Sequence, residues 1–267
     1  MGSSRLTIRG VGLHSGETCT VTLGFGRPHS GVEFHIKQDG KDAAVIPASI
    51  SHVVRSRRAT TLGRDGVEIG MVEHLLSALA ALGVKDIVIG VEGPEIPVLD
   101  GSSAHWALAI KALGAAREPK WIKWPRSVCL ESDKVMVRIE PDDHFSIDAT
   151  IEFPEKCIGL EQMHWHFNRD GYLPDIAPAR TLGRMCEVDL LRREGLIRGA
   201  SPGCALVASE NGFINPEGAR FADEPVRHRI LDAIGDIFLK TAPALPLARV
   251  TLVCAGHSHL LSALSQL

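Results

Sequence analysis

Residues 71–82, MVEHLLSALAAL, read as a helix with no wet side. Ala and Leu favour the helical state, and Gly83 supplies a C-terminal stop. Apolar residues point in nearly every direction around it, so the rest of the chain must wrap this helix. Yet Glu73 and His74 sit side by side in its first turn. A carboxylate and an imidazole are costly to bury unless they are paired, hydrogen-bonded or bound to metal. Two readings stand level here: a capping glutamate beside a core histidine, or part of a functional site.

A second helix is written into FADEPVRHRILDAIGDIFL, residues 221–239. Its His228, Asp232 and Asp236 recur every four residues and so lie one above the other on one face. Val226, Ile230, Ala233, Ile234 and Ile237 form an apolar stripe, with Asp223 as the expected N-cap and Pro225 in the first turn. Taken alone, the polar row reads as the wet face of an amphipathic helix. It also reads as a place where His228 and Asp232 could grip one metal ion, with Asp236 a turn further on.

Composition narrows the class. The chain has 267 residues, enough for one large or two small domains, with 45% hydrophobic and 23% charged residues, as in ordinary soluble globular proteins. A net charge of −3 and the lack of a clustered basic face argue against nucleic acid as a partner. Arg55, Arg57 and Arg58 make a short basic knot, read as a solvated loop or an anion contact. No run approaches the roughly 18 apolar residues of a membrane span. The six cysteines, at 19, 129, 157, 186, 204 and 254, form no CxxC pair, and no N-terminal signal segment is visible. Reduced thiols in a cytoplasmic protein are therefore expected.

Strands are expected twice within 5–25, across the Gly-rich GVGLHSG turn, then at 31–36 and 43–50. A hairpin about Gly63–Gly66, a strand at 86–93 and a helix at 104–113 follow. Residues 114–126, rich in Gly, Pro and charge, read as a linker. Beyond it, strands are expected at 127–132, 134–141, 145–153 and 164–167, with a turn at 168–171. A helix near 184–194, a hairpin within 204–214, the His228 helix, a strand at 248–256 and a short terminal helix or tail complete the chain. This pattern predicts an α+β fold of two domains, 1–118 and 123–267, rather than alternating βαβ units, although the halves show no obvious sequence repeat.

One constellation combines chemically useful types: Glu73 and His74, His228 and Asp232, and His257 after the last strand. Two histidines and one carboxylate make a three-ligand site with an open position, the form catalytic zinc requires. A neighbouring carboxylate is placed to act as base, and a further histidine steadied by Asp236 could supply a proton. The rival is a set of separate, satisfied core histidines. HExxH is absent, GVGLHSG lacks the third glycine of a dinucleotide fingerprint, no Walker loop occurs, and Ser102-Ser103 lacks the setting of a nucleophile elbow.

Six blocks carry a family resemblance: GVGLHSG (10–16), VEHLLSALAALGV (72–84), PEIPVLDGSS (94–103), PARTLG (178–183), NPEGARFADEPVRHRILDAIGD (215–236) and AGH (255–257). In this order they closely resemble the zinc-dependent UDP-3-O-acyl-N-acetylglucosamine deacetylases of lipid A synthesis. The resemblance implies two similar domains, each an antiparallel sheet packed against helices, with the active site between them. It implies Zn2+ held by His74, His228 and Asp232, Glu73 as general base and Thr181 as an oxyanion donor. His257 becomes the catalytic histidine and Asp236 the acid that orients it. Arg229, Leu13, Leu182 and Arg184 become candidate substrate contacts. A cytoplasmic monomer acting on an acylated nucleotide-sugar is expected, touching a membrane only through its substrate. The chain departs from the family pattern at Arg229, where Lys is usual, at Leu182 and Arg184, where Phe is usual, and at Cys204, where Asn is usual. Its C-terminal element is also short. Leu182, Arg184, Cys204 and the short C-terminal element favour, as an alternative, hydrolysis of a different N-acyl substrate; a rival of a different class is a metal-stabilised protein without catalysis. Retention of Glu73, Thr181 and His257 speaks against the last.

Overall fold

The computed structural model describes residues 5–267. The first half runs β1 (Arg5–Val11), β2 (Thr18–Phe25), β3 (Val32–Gln38), β4 (Lys41–Pro47), β5 (Val53–Arg55), β6 (Thr61–Arg64), β7 (Val67–Ile69), α1 (Glu73–Ala81), β8 (Ile87–Glu92) and α2 (Ala104–Ala112). The second half opens with β9 (Lys120–Lys123), then β10 (Val128–Ser132), β11 (Val135–Pro141), β12 (Ser146–Glu152) and β13 (Leu160–His166). It continues with the helical turn α3 (Arg169–Gly171), β14 (Leu182–Arg184), α4 (Val188–Arg193), β15 (Leu206–Ser209) and β16 (Gly212–Phe213). It closes with α5 (Glu224–Thr241), β17 (Ala244–Val253) and α6 (His257–Leu264).

The two halves share one topology. The large sheets have the orders β1-β2-β8-β3-β4 and β10-β11-β17-β12-β13, so each inserts its last strand between its second and third. Along these orders each is antiparallel except at one pair, β3–β8 and β12–β17, and in the second sheet β9 adds a further parallel pair with β17. A parallel pair needs a long crossover, and in both halves a small three-stranded sheet plus a buried helix supplies it. The fold is thus α+β with two similar layered units, although the sequence shows no repeat.

Several local expectations shift. The 114–126 linker contains β9, which pairs with the start of β17. β13 begins at Leu160, earlier than its HWHF segment suggests, and residues 168–171 form a helical turn capped by Asn168. The helix near 184–194 contracts to α4, because Leu182–Arg184 pairs with β15. Asp223 makes no side-chain cap on α5. Its Oδ1 instead accepts from Arg227 Nε at 2.6 Å, and Glu161 Oε2 on β13 accepts the Val226 N–H at 3.0 Å.

All of α1 is buried, Glu73 and His74 included, and its partner is α5. A Cβ on Gly235 would meet the Glu73 carbonyl oxygen at 2.2 Å. Only glycine allows this crossing, and it falls between Asp232 and Asp236, against the first turn of α1. Among the described residues no helix is long and apolar enough to cross a membrane.

Candidate active site

The crossing at Gly235 brings three side chains to one point. His74, His228 and Asp232 are 3%, 6% and 5% exposed, so the polar row of α5 is not a wet face. One ligand atom from each residue lies within 4.8 Å of the others. Asp232 Oδ1 stands 3.5 Å from His74 Nε2 and 3.3 Å from His228 Nε2, and the two rings meet edge to face at 4.9 Å. His228 Nδ1 lies 3.0 Å from the Ala179 carbonyl oxygen. A carbonyl only accepts, so Nδ1 carries the hydrogen and Nε2 presents a lone pair to the site. Asp232 Oδ1 is buried without a hydrogen-bond partner among the described residues. An orphaned carboxylate oxygen facing two imidazole nitrogens is costly by itself and suits a cation, so the donor set fits a divalent metal ion.

The electrostatics agree. Burial pushes the His228 imidazole down to about 4, against the pull of Asp232. Burial opposes charge on Asp232, yet His228, His257, the His74 contact and Arg229 hold its carboxyl well below the usual range. For His74, burial is outweighed by Asp232 and Glu73, and its pKa rises.

Beside these three sit Glu73 and His257. Glu73 Oε2 accepts the Thr60 N–H at 3.0 Å, while Oε1 lies 3.9 Å from His257 Nε2. Burial raises the Glu73 carboxyl, against the charges of His257 and His74. His257 opens α6, and its Nδ1 meets Asp236 Oδ2 at 2.7 Å. Burial there is outweighed by Asp236, Asp232 and Glu73, which push the imidazole up to about 10. Thr60 Oγ1 donates to Asp236 Oδ1 at 2.7 Å, fixing the carboxylate that fixes the ring.

A cleft of about 300 Å³ opens over this centre, lined among others by Thr181, Leu182, Arg184 and Arg229. Thr181 is delivered by two anchors. Its N–H donates to the Gly101 carbonyl at 2.8 Å, and its neighbour Arg180, 1% exposed, forks onto Glu224 in the first turn of α5. Arg184 stacks on Phe153 and pairs with Glu155 at 2.9 Å and Glu187 at 3.1 Å. Arg229 reaches back to Asp232 Oδ2 at 3.5 Å. Leu13 is 7% exposed and packs against the core, and it is not among the residues that line the cleft. Its loop turns the backbone N–H groups of His14 and Ser15 onto Glu95, which points Leu13 inward.

Reading the sequence missed Thr60, Gly235, Arg180 and Glu224. Gly235 carried one signal, a glycine amid a strong helical pattern, which costs about 1 kcal/mol against alanine unless a close approach requires it.

Comparison with known proteins follows this geometry. Residues 3–267 match the family model described as "LpxC: UDP-3-O-acyl N-acetylglycosamine deacetylase". The UDP-3-O-acyl-N-acetylglucosamine deacetylase of Syntrophotalea carbinolica is 40% identical over 237 residues, covering 88% of this chain and 76% of its own. That of Myxococcus xanthus is 39% identical over 256 residues, covering 94% and 80%. That of Chromobacterium violaceum is 38% identical over 246 residues, covering 90% and 81%.

Proposed function

Since the chain belongs to the UDP-3-O-acyl N-acetylglycosamine deacetylase family, we propose that it is a zinc-dependent amidohydrolase. Its substrate would be a UDP-3-O-acyl-N-acetylglucosamine, from which it removes acetate in the committed step of lipid A synthesis. The observation that carries this reading is the convergence of His74, His228 and Asp232 on one buried point, with Glu73 and the Asp236–His257 pair at its edge. The proposal includes domains 1–118 and 123–267, supported by the repeated strand order, and a cytoplasmic monomer that meets a membrane only through its acyl substrate.

His74, His228 and Asp232 would hold the ion, and zinc there supplies Lewis acidity to the amide carbonyl and to the attacking water. Glu73 takes a proton from that water as its oxygen bonds to the carbonyl carbon. The elevated carboxyl pKa brings this base closer to the operating pH. The tetrahedral oxyanion that forms on the substrate is met by the Thr181 hydroxyl and the cationic His257. His257, held charged by Asp236 and Thr60, or the newly protonated Glu73, passes a proton to the nitrogen. The C–N bond then breaks to give acetate and the free amine.

Glu73→Ala is expected to retain bound metal and lose about 10²–10⁴ in turnover. Full activity in that variant would remove Glu73 from the mechanism. Metal content of His74→Ala and Asp232→Ala tests the ligands, and unchanged zinc would refute them. The ion cluster of Arg184 with Glu155 and Glu187 on the cleft wall favours a second reading, an enzyme for a different N-acyl group. Turnover of 3-O-acylated against unacylated UDP-N-acetylglucosamine separates the two, and no turnover of the acylated compound would sink the first.

A further inference from the structure

We propose that His164 and His166, on the solvent face of β13, form a second metal site that takes a divalent transition ion. The residues are two apart on one strand, so both rings leave the same face of the sheet, while Trp165 between them is buried on the other. Their Nε2 atoms stand 2.7 Å apart with the rings nearly perpendicular. Two imidazole nitrogens are held this close only by something shared between them. One proton can serve, and so can a metal ion bound by two neutral rings.

A third residue sets this pair apart from any two surface histidines. Asp148 lies directly across from His164 in the β12–β13 register, and its Oδ1 accepts from the His164 Nδ1–H. A carboxylate on the far nitrogen fixes the tautomer, leaves Nε2 as a lone pair and raises its basicity, the support that metal-binding histidines characteristically have. Asp148 is itself oriented by Arg249, whose Nε meets Oδ2 at 2.7 Å. Despite partial burial, Arg249 and His164 hold the Asp148 carboxyl below its ordinary range, so it stays an acceptor.

The donor set selects the ion. Arg249 offsets the charge of Asp148, so the site offers two neutral nitrogens and no free carboxylate oxygen. That composition suits Cu2+, Ni2+ or Zn2+ and offers little to Ca2+ or Mg2+. Bonds of about 2.0–2.1 Å require the nitrogens to sit about 3 Å apart, a few tenths of an ångström beyond their present spacing. His164 is about half exposed and β13 is an edge strand, so its ring can turn that far and water can complete the shell. The site lies on the opposite face of the sheet from α5 and is therefore independent of the cleft.

The test uses the full chain, as purified and saturated with zinc, then titrated with Ni2+ and freed of unbound metal. Wild type is expected to hold one more nickel ion per chain than the His164→Ala/His166→Ala double variant, with equal zinc in both. Asp148→Asn should weaken nickel binding about 10–100-fold. Cu2+ spectra should show coupling to two nitrogens in wild type and lose it in His166→Ala. Equal nickel in wild type and the double variant would overturn the site, and unchanged affinity in Asp148→Asn would overturn the part given to the carboxylate.

Discussion

Glu73 and Glu224 hold the same place in the two halves and serve different ends. Each is the first residue of the helix that precedes the central strand of its sheet, and each is buried, at 1% and 0% exposure. Each accepts a backbone N–H from the incoming segment, from Thr60 at 3.0 Å and from Arg180 at 2.9 Å. The segments even correspond, Ala59-Thr60-Thr61 against Ala179-Arg180-Thr181. There the likeness ends. Glu224 also takes the Arg180 guanidinium at 2.8 and 3.1 Å and the Arg220 N–H at 2.5 Å, which saturates its oxygens. Glu73 receives a short threonine in that position, whose hydroxyl goes to Asp236 instead, and its Oε1 is left facing His257. A carboxylate clamped by a buried guanidinium holds structure together. One held by a single N–H, beside a cavity, can move a proton.

Removing the clamp should have the largest effect on stability. Arg180→Ala leaves the buried Glu224 carboxylate without its guanidinium and with only the backbone N–H groups of residues 180 and 220, which costs about 3–5 kcal/mol. Tm is expected to fall by roughly 10 °C, at about 2–4 °C per kcal/mol for a chain of this size. A shift under 2 °C in a thermal melt would mean that Glu224 finds other partners, and the contrast with Glu73 would lose its basis. Gly235→Ala probes the meeting of the two helices. Helix propensity alone favours alanine by about 1 kcal/mol, but the Glu73 carbonyl cannot give way, so a net loss of about 1–3 kcal/mol is expected. A stabilised variant would show that the helices separate freely.

Thr60→Val sharpens the comparison at the chemical end. The variant keeps the N–H to Glu73 and loses the hydroxyl to Asp236. A fall of about tenfold in kcat is expected, from loss of about 1.5 kcal/mol in one hydrogen bond to a charged group, the low end of the range for such bonds. KM should stay near its wild-type value, and Thr60→Ser should restore most of the rate. Equal losses in the serine and valine variants would assign the effect to packing.

What the sequence could disclose follows from distance along the chain. His228, Asp232 and Asp236 were visible because helical periodicity puts them on one face, and Glu73-His74 because two polar residues open an apolar helix. Whether that face met water or a second helix could not be read from α5, since the pattern of apolar and polar positions is the same in both cases. The family resemblance supplied the choice, and the buried donor geometry is consistent with it. Thr60 and Arg180 stayed hidden because their partners, Asp236 and Glu224, are distant in sequence and nothing in a threonine or an arginine announces a contact. Two similar domains were implied by the resemblance, but their strand order was hidden. Strand order is carried by alternation and by crossover length, which different residues satisfy equally well.

The smallest predicted effect concerns how the start of α5 is held. Glu161 on β13 caps it in place of Asp223, and α1 has no corresponding carboxylate from its own sheet among the described contacts. Burial pushes the Glu161 carboxyl up to about 7, against the Val226 N–H and helped by repulsion from Asp223. An unfolded glutamate titrates near about 4.3. The folded chain therefore holds this proton longer than the unfolded one. Its contribution to stability is fully present below about pH 4 and is lost as pH rises toward 7. The group is only partly buried, so solvent screening reduces the effect to about 1 kcal/mol, or about 2–4 °C in Tm. Glu161→Gln keeps an oxygen for the Val226 N–H and cannot ionise. The variant should match wild type near pH 4.5 and exceed it by that amount near pH 8. A difference that stays flat across the range would mean that the carboxyl ionises normally, with the α5 N-terminus stabilising its charge as fully as water does.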